Sequence, residues 1–130
     1  MRSIIGKFKL ALALFALVSF GAVNNSSADW GGIVSYQEDV YPIIHFRCLS
    51  CHGEGDVGTV QSGLNLETYE GLMKGTKHGP VVIPKNPLIS NLNVLVEGRA
   101  KVRMPHNRKR LTPCDVEILH RWVQQGARNN

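Results

Sequence analysis

Apolar side chains fall into two unlike patterns along this chain. Leu10 to Val23 is one charge-free apolar run (LALALFALVSFGAV). Beyond residue 35 the apolar positions instead recur at helical spacing. Ser35-Tyr36-Gln37-Glu38 matches a capping box, in which Ser35 accepts from the amide of Glu38 and Glu38 reaches back. Val40, Ile44, Cys48 and Cys51 then form a stripe, predicting a helix over 36–51, with Pro42 early enough to distort only its first turns. Gly53, Gly55 and Gly58 predict a loop. Residues 64–74 (LNLETYEGLMK) read as a second, short helix closed by Gly75, and 88–97 as a third closed by Gly98, with proline-rich irregular chain between them. Residues 99–111 lack periodicity. The last helix has the clearest start, with Thr112 as N-cap, Pro113 at the first position and Asp115 and Glu117 as acids in the first turn. Val116, Leu119 and Val123 form its apolar face, widened by Ile118 and Trp122, and Gly126 stops it. No strand pattern or internal repeat is visible, so the expected fold is all-α, with long first and last helices and small ones between.

The first run has a different meaning. Arg2, Lys7 and Lys9 precede it without an acid, and Asn24 to Ala28 follow it with small side chains. A basic segment, a short apolar segment and a small-residue cleavage site make residues 1–28 a cleaved Sec signal peptide, with the mature chain starting at Asp29. The run is shorter than the roughly 20 residues a spanning helix needs. The expectation is therefore export to the periplasm or an equivalent non-cytoplasmic compartment, with no stable membrane span after cleavage; a retained anchor is the competing reading. Residues 29–35 then form a lead-in and 36–128 the single domain.

This division changes the reading of charge. The whole chain carries 15 basic and 10 acidic residues, formal net charge +5. Three of the fifteen cations lie in the leader, so the mature chain holds 12 basic against 10 acidic residues, formally +2. The basic balance that would invite nucleic acid largely disappears, and export separates the protein from cytosolic DNA and RNA. With 43% hydrophobic and 19% charged residues, disorder and a multi-span membrane protein are excluded.

The chemistry is concentrated in Cys48-Leu49-Ser50-Cys51-His52. Thiols at i and i+3 share one side of a helical turn and can each add to a vinyl group of haem, while the histidine that follows offers a proximal nitrogen to iron. A thioredoxin-like pair needs a βαβ context that is not visible. A structural zinc needs a second ligand pair, which the scattered histidines do not supply. A local disulfide leaves His52 without a reason. One covalently attached haem c is the reading, and the export signal agrees with c-type haem assembly.

The segments VYPIIHFRCLSCHG, LNLETYEGLMKG, RMP and LTPCDVEILHRWVQQGA resemble class I monohaem cytochromes c, especially the small cytochrome c-like domains common in planctomycete proteins. The resemblance spans about Tyr36 to Ala127 and implies a cytochrome c-like fold, in which the first helix presents the haem motif and the last packs across it. It implies thioethers at Cys48 and Cys51, His52 as proximal ligand and Met104 as distal ligand. It further implies an electron carrier rather than an enzyme, although a peroxidase-like open site is a remote alternative.

Two sulfurs compete for the distal position. Met104 stands in a non-helical loop beside Pro105, and a thioether on iron favours the reduced state; against this, methionine is also a common filler of core gaps. Cys114 departs from the family, which usually carries an acidic or polar residue after Leu-Thr-Pro. It lies in the first turn of the last helix, where amide dipoles favour an anionic sulfur. A Cys114 thiolate on iron would make the protein a diatomic-gas-binding or redox-sensing cytochrome; an intermolecular disulfide through Cys114 would make it a homo- or heterodimer; the third reading is an inert buried sulfur. His78 and His106 rank below both sulfurs. Arg99, Lys101, Arg103, Arg108, Lys109 and Arg110 put six cations around Met104 without an acid. This strip is either a solvated loop or a rim that steers an acidic redox partner.

Overall fold

The computed structural model describes residues 31–130; the leader over 1–28 and its cleavage point lie outside them. The described chain is helical, without strands, as the periodicity predicts. A wide, π-pitched opening turn (Tyr36–Val40) leads into α1 (Tyr41–Arg47), followed by α2 (Leu49–His52), α3 (Val57–Ser62), α4 (Tyr69–Lys74), α5 (Asn91–Val96) and α6 (Pro113–Gln124). None of these helices is long and apolar enough to cross a membrane.

The stripe predicted as one helix over 36–51 is real but broken. Val40 N–H bonds back to Ser35 C=O, five residues earlier, and Tyr41 N–H to Tyr36 C=O. Pro42 has no N–H to give, so a normal ladder cannot run through this turn. The wide pitch also moves the reciprocal cap: Ser35 Oγ accepts from Glu38 N–H, but Asp39 Oδ2, not Glu38, accepts from Ser35 N–H at 2.8 Å. A second break falls at Cys48, whose backbone (φ −123°, ψ −37°) separates α1 from α2. The glycine-rich stretch predicted as loop contains α3, ended by Gly63 at φ +81°. The helices predicted over 64–74 and 88–97 shorten to α4 and α5.

α6 forms as the sequence dictates. Thr112 Oγ1 accepts from Asp115 N–H at 3.1 Å and Asp115 Oδ2 from Thr112 N–H at 3.0 Å, a complete capping box. Its buried face, Leu119, Trp122 and Val123, packs on the opening turn. There Trp122 meets Tyr36 with ring centroids 5.6 Å apart, and Tyr69 closes the group against Tyr36 edge-on at 5.1 Å. Trp122 Nε1 donates to Arg128 C=O and Tyr69 Oη to Ala127 C=O, so the chain after α6 is folded back over the same cluster. Burial pushes the Tyr36 phenol up to about 12, with the facing phenols of Tyr41 and Tyr69 and the Glu70 carboxylate adding to it.

One ionic knot joins α5 to α6. Glu97, at the end of α5, takes a hydrogen bond from His120 Nδ1 at 3.0 Å and another from Arg99 Nε. Burial raises the Glu97 carboxyl, but the hydrogen bonds and charges of His120 and Arg99 outweigh it and hold the group below 4.5. A carboxyl depressed on folding stabilises the fold above its unfolded value and loses that contribution as pH falls through the folded one. Glu97→Gln should therefore flatten the acid limb of a stability–pH curve below about pH 5 while shifting the neutral plateau by roughly 1 kcal/mol. Denaturant midpoints taken across that range check it; an unchanged acid limb refutes it.

Candidate haem site

The haem motif is built by the short turn after the Cys48 break. The Cys48 carbonyl accepts from both Cys51 N–H and His52 N–H at 3.1 Å, gathering residues 48, 51 and 52 on one turn. Both thiols are free and half-buried. Burial, tempered by the Arg47 charge, pushes the Cys48 thiol up to about 11.

His52 is fixed from both ends. Its carbonyl accepts from Leu66 N–H at 2.8 Å, and its Nδ1 lies 3.2 Å from the Leu64 carbonyl. That oxygen can only accept, so in the neutral imidazole Nδ1 carries the proton and Nε2 keeps its lone pair. Metal-binding histidines characteristically use a bond of this kind on the other ring nitrogen to set tautomer and ring direction. Thr59 Oγ1 donates to the same Leu64 carbonyl at 2.8 Å, tying it to α3. Leu64 and α3 carry no motif of their own in the sequence; Gly58 is the trace of their role. A Cβ at Gly58 would lie 2.5 Å from Cys51 C=O and 2.8 Å from His52 Cε1, so only glycine lets α3 lie against the motif.

Met104 is half-buried, packs against the core, and gives its N–H to Leu95 C=O at 3.2 Å. It lines a hollow of about 270 Å³ with Val96 and the cationic residues Lys101, Arg103, Arg108 and Arg110. A second hollow, of about 260 Å³, is lined by Phe46 and Arg47, the residues before Cys48, together with Arg108 and Lys109. Neither lining contains an acid. Arg108 lines both hollows, so the basic strip borders Met104 on one side and the residues just before Cys48 on the other. Phe46 and Val102 are 80% and 52% exposed, apolar surface at these two edges. On α5, one turn before Val96, Asn93 is fully buried with both amide atoms unpartnered. Such a group calls for a polar partner.

Cys114 is exposed in the first turn of α6. His78 and His106 are also exposed. The residues present fit a haem c: two free thiols at i and i+3, an adjoining histidine with an open Nε2, a half-buried thioether in the loop before α6 and cations suited to carboxylates.

Residues 48–107 match the family model of planctomycete cytochrome C, from the first motif cysteine to just beyond Met104. No curated protein and no solved structure matches the chain. The matched family binds haem c and serves electron transfer.

Proposed function

We propose, on the premise that residues 48–107 form a planctomycete cytochrome C domain, that this protein is an exported monohaem cytochrome carrying single electrons between redox partners. The observation that carries the proposal is the Leu64 carbonyl on His52 Nδ1, which leaves Nε2 free to bind iron. Cys48 and Cys51 would form the thioethers, His52 would be the proximal ligand and Met104 the distal one. Haem supplies the one-electron couple; the chain supplies ligands, partial exclusion of water and a docking edge. The half-burial of Met104 and the exposure of Cys114 favour the thioether over the thiolate. The acid-free strip from Lys101 to Arg110 suits a partner with an acidic docking face. Its contribution should be kinetic: reversing the charge of Arg108 and Lys109 should slow electron transfer to such a partner and weaken its salt dependence.

Two measurements test the assignment. The mass of the mature protein should exceed that of the chain from Asp29 by one haem. The oxidised protein should show the near-infrared sulfur-to-iron charge-transfer band of methionine ligation, absent in Met104→Ala. A protein without covalent haem, or low-spin thiolate signals that disappear in Cys114→Ser, would overturn it.

A further inference from the structure

The loop bearing Met104 is secured unevenly. Its first half is held by the Met104 bond to Leu95 and by Arg99, whose N–H bonds to Val94 C=O and whose side chain bonds to Leu88 C=O and Glu97. Its end is fixed by buried Leu111 and the Thr112 cap. Between these points residues 106–110 are exposed. Among the described residues, one side chain makes all the hydrogen bonds that join 105–110 to the rest of the domain. Arg47 Nη2 donates to Lys109 C=O at 2.5 Å and to Arg110 C=O at 2.8 Å, across more than sixty residues of sequence.

Arg47 is placed for more than a surface contact. It is the last residue of α1, directly before Cys48, so it shares the backbone that presents the haem motif. It lines the smaller hollow together with Arg108 and Lys109, with no carboxylate in the lining. Like charges alone would drive loop and helix apart. The two backbone carbonyls hold them together, and charged donors make the stronger hydrogen bonds.

We propose that Arg47 is the positioning residue for the distal ligand: it locks the Met104 loop to the helix carrying the haem motif and so keeps the Met104 sulfur on iron. This rests on the Met104 reading above. The lock sets the equilibrium between a closed loop and an open one in which Met104 has left and an outside ligand can enter.

The test is imidazole binding to the oxidised holoprotein, followed by loss of the charge-transfer band. An entering ligand binds in proportion to the open fraction. Losing two hydrogen bonds should raise that fraction roughly ten- to a hundredfold, and Arg47→Met should bind imidazole tighter by the same factor. Arg47→Gln serves as a milder second variant if Arg47→Met does not fold. Met104→Ala should bind tightest, and adding Arg47→Met to it should change nothing further. If Met104→Ala binds more tightly but folded Arg47→Met and Arg47→Gln bind like wild type, the lock is refuted. If Met104→Ala keeps the wild-type band and affinity, the distal assignment itself fails.

Discussion

Gly58→Ala is expected to disable the haem segment. Position 58 lies in the first turn of α3, and a methyl group there would sit 2.5 Å from the Cys51 carbonyl oxygen, 2.8 Å from His52 Cε1 and 3.0 Å from His52 Nδ1. Carbon and carbonyl oxygen ordinarily approach no closer than about 3.3 Å. The carbonyl cannot retreat freely, because it belongs to the turn that closes on Cys48. The imidazole can tilt only by giving up its bond to Leu64. Alanine in a helix gains about 1 kcal/mol over glycine, while overpacking at a rigid contact costs about 1–3 kcal/mol. The cost should fall at the upper end, since one of the opposing atoms is backbone. The denaturant midpoint should therefore drop, and the yield of haem-loaded protein should fall with it, because the ring that presents Nε2 is displaced. A variant more stable than wild type and fully loaded would show that α3 does not bear on the motif as the geometry implies.

That contact also explains what the sequence concealed. α3 is written Val-Gly-Thr-Val-Gln-Ser, with a glycine and three β-branched residues in its first four positions, a poor helix by propensity. It forms because its first turn lies against the Cys51–His52 backbone and Thr59 shares the Leu64 carbonyl with the histidine. Those are tertiary causes, invisible to a local pattern. α6 is the opposite case: Thr112, Pro113 and Asp115 determine its start within four residues, and the expected cap is the observed one. The first helix lies between the two. Its apolar stripe follows from spacing, but its two breaks do not. One comes from the missing donor of Pro42, the other from the turn that gathers the motif around the Cys48 carbonyl.

The candidate site divides along the same line. Cys48, Cys51 and His52 are legible because the chemistry demands their spacing. Leu64 is not, because its part is played by a backbone carbonyl, and any residue has one. Arg47 belongs to no sequence pattern; only the folded chain brings it to Lys109 and Arg110.

Trp122→Ala carries the largest expected loss of stability. The indole is 1% exposed and fills the junction of α6 with the opening turn, against Tyr36 at 5.6 Å and Tyr69 at 6.5 Å. Removing a buried aromatic ring costs about 3–5 kcal/mol. The lost ring pairs and the orphaned Arg128 carbonyl add to this. A domain of about 100 residues has a total stability of about 5–15 kcal/mol, so this one change removes a large share of it. Thioethers survive unfolding, whereas a thioether ligand held by a folded loop does not. The variant should thus keep its covalent haem mass while losing near-ultraviolet ellipticity, the cooperative melt and the methionine charge-transfer band together. Trp122→Phe keeps a ring in the cluster and gives up the Nε1 bond; it should retain the band with a smaller fall in midpoint. If Trp122→Ala instead melts cooperatively within about 1 kcal/mol of wild type, with its band intact, then packing of α6 on the opening turn is not what holds the distal loop in register with the motif.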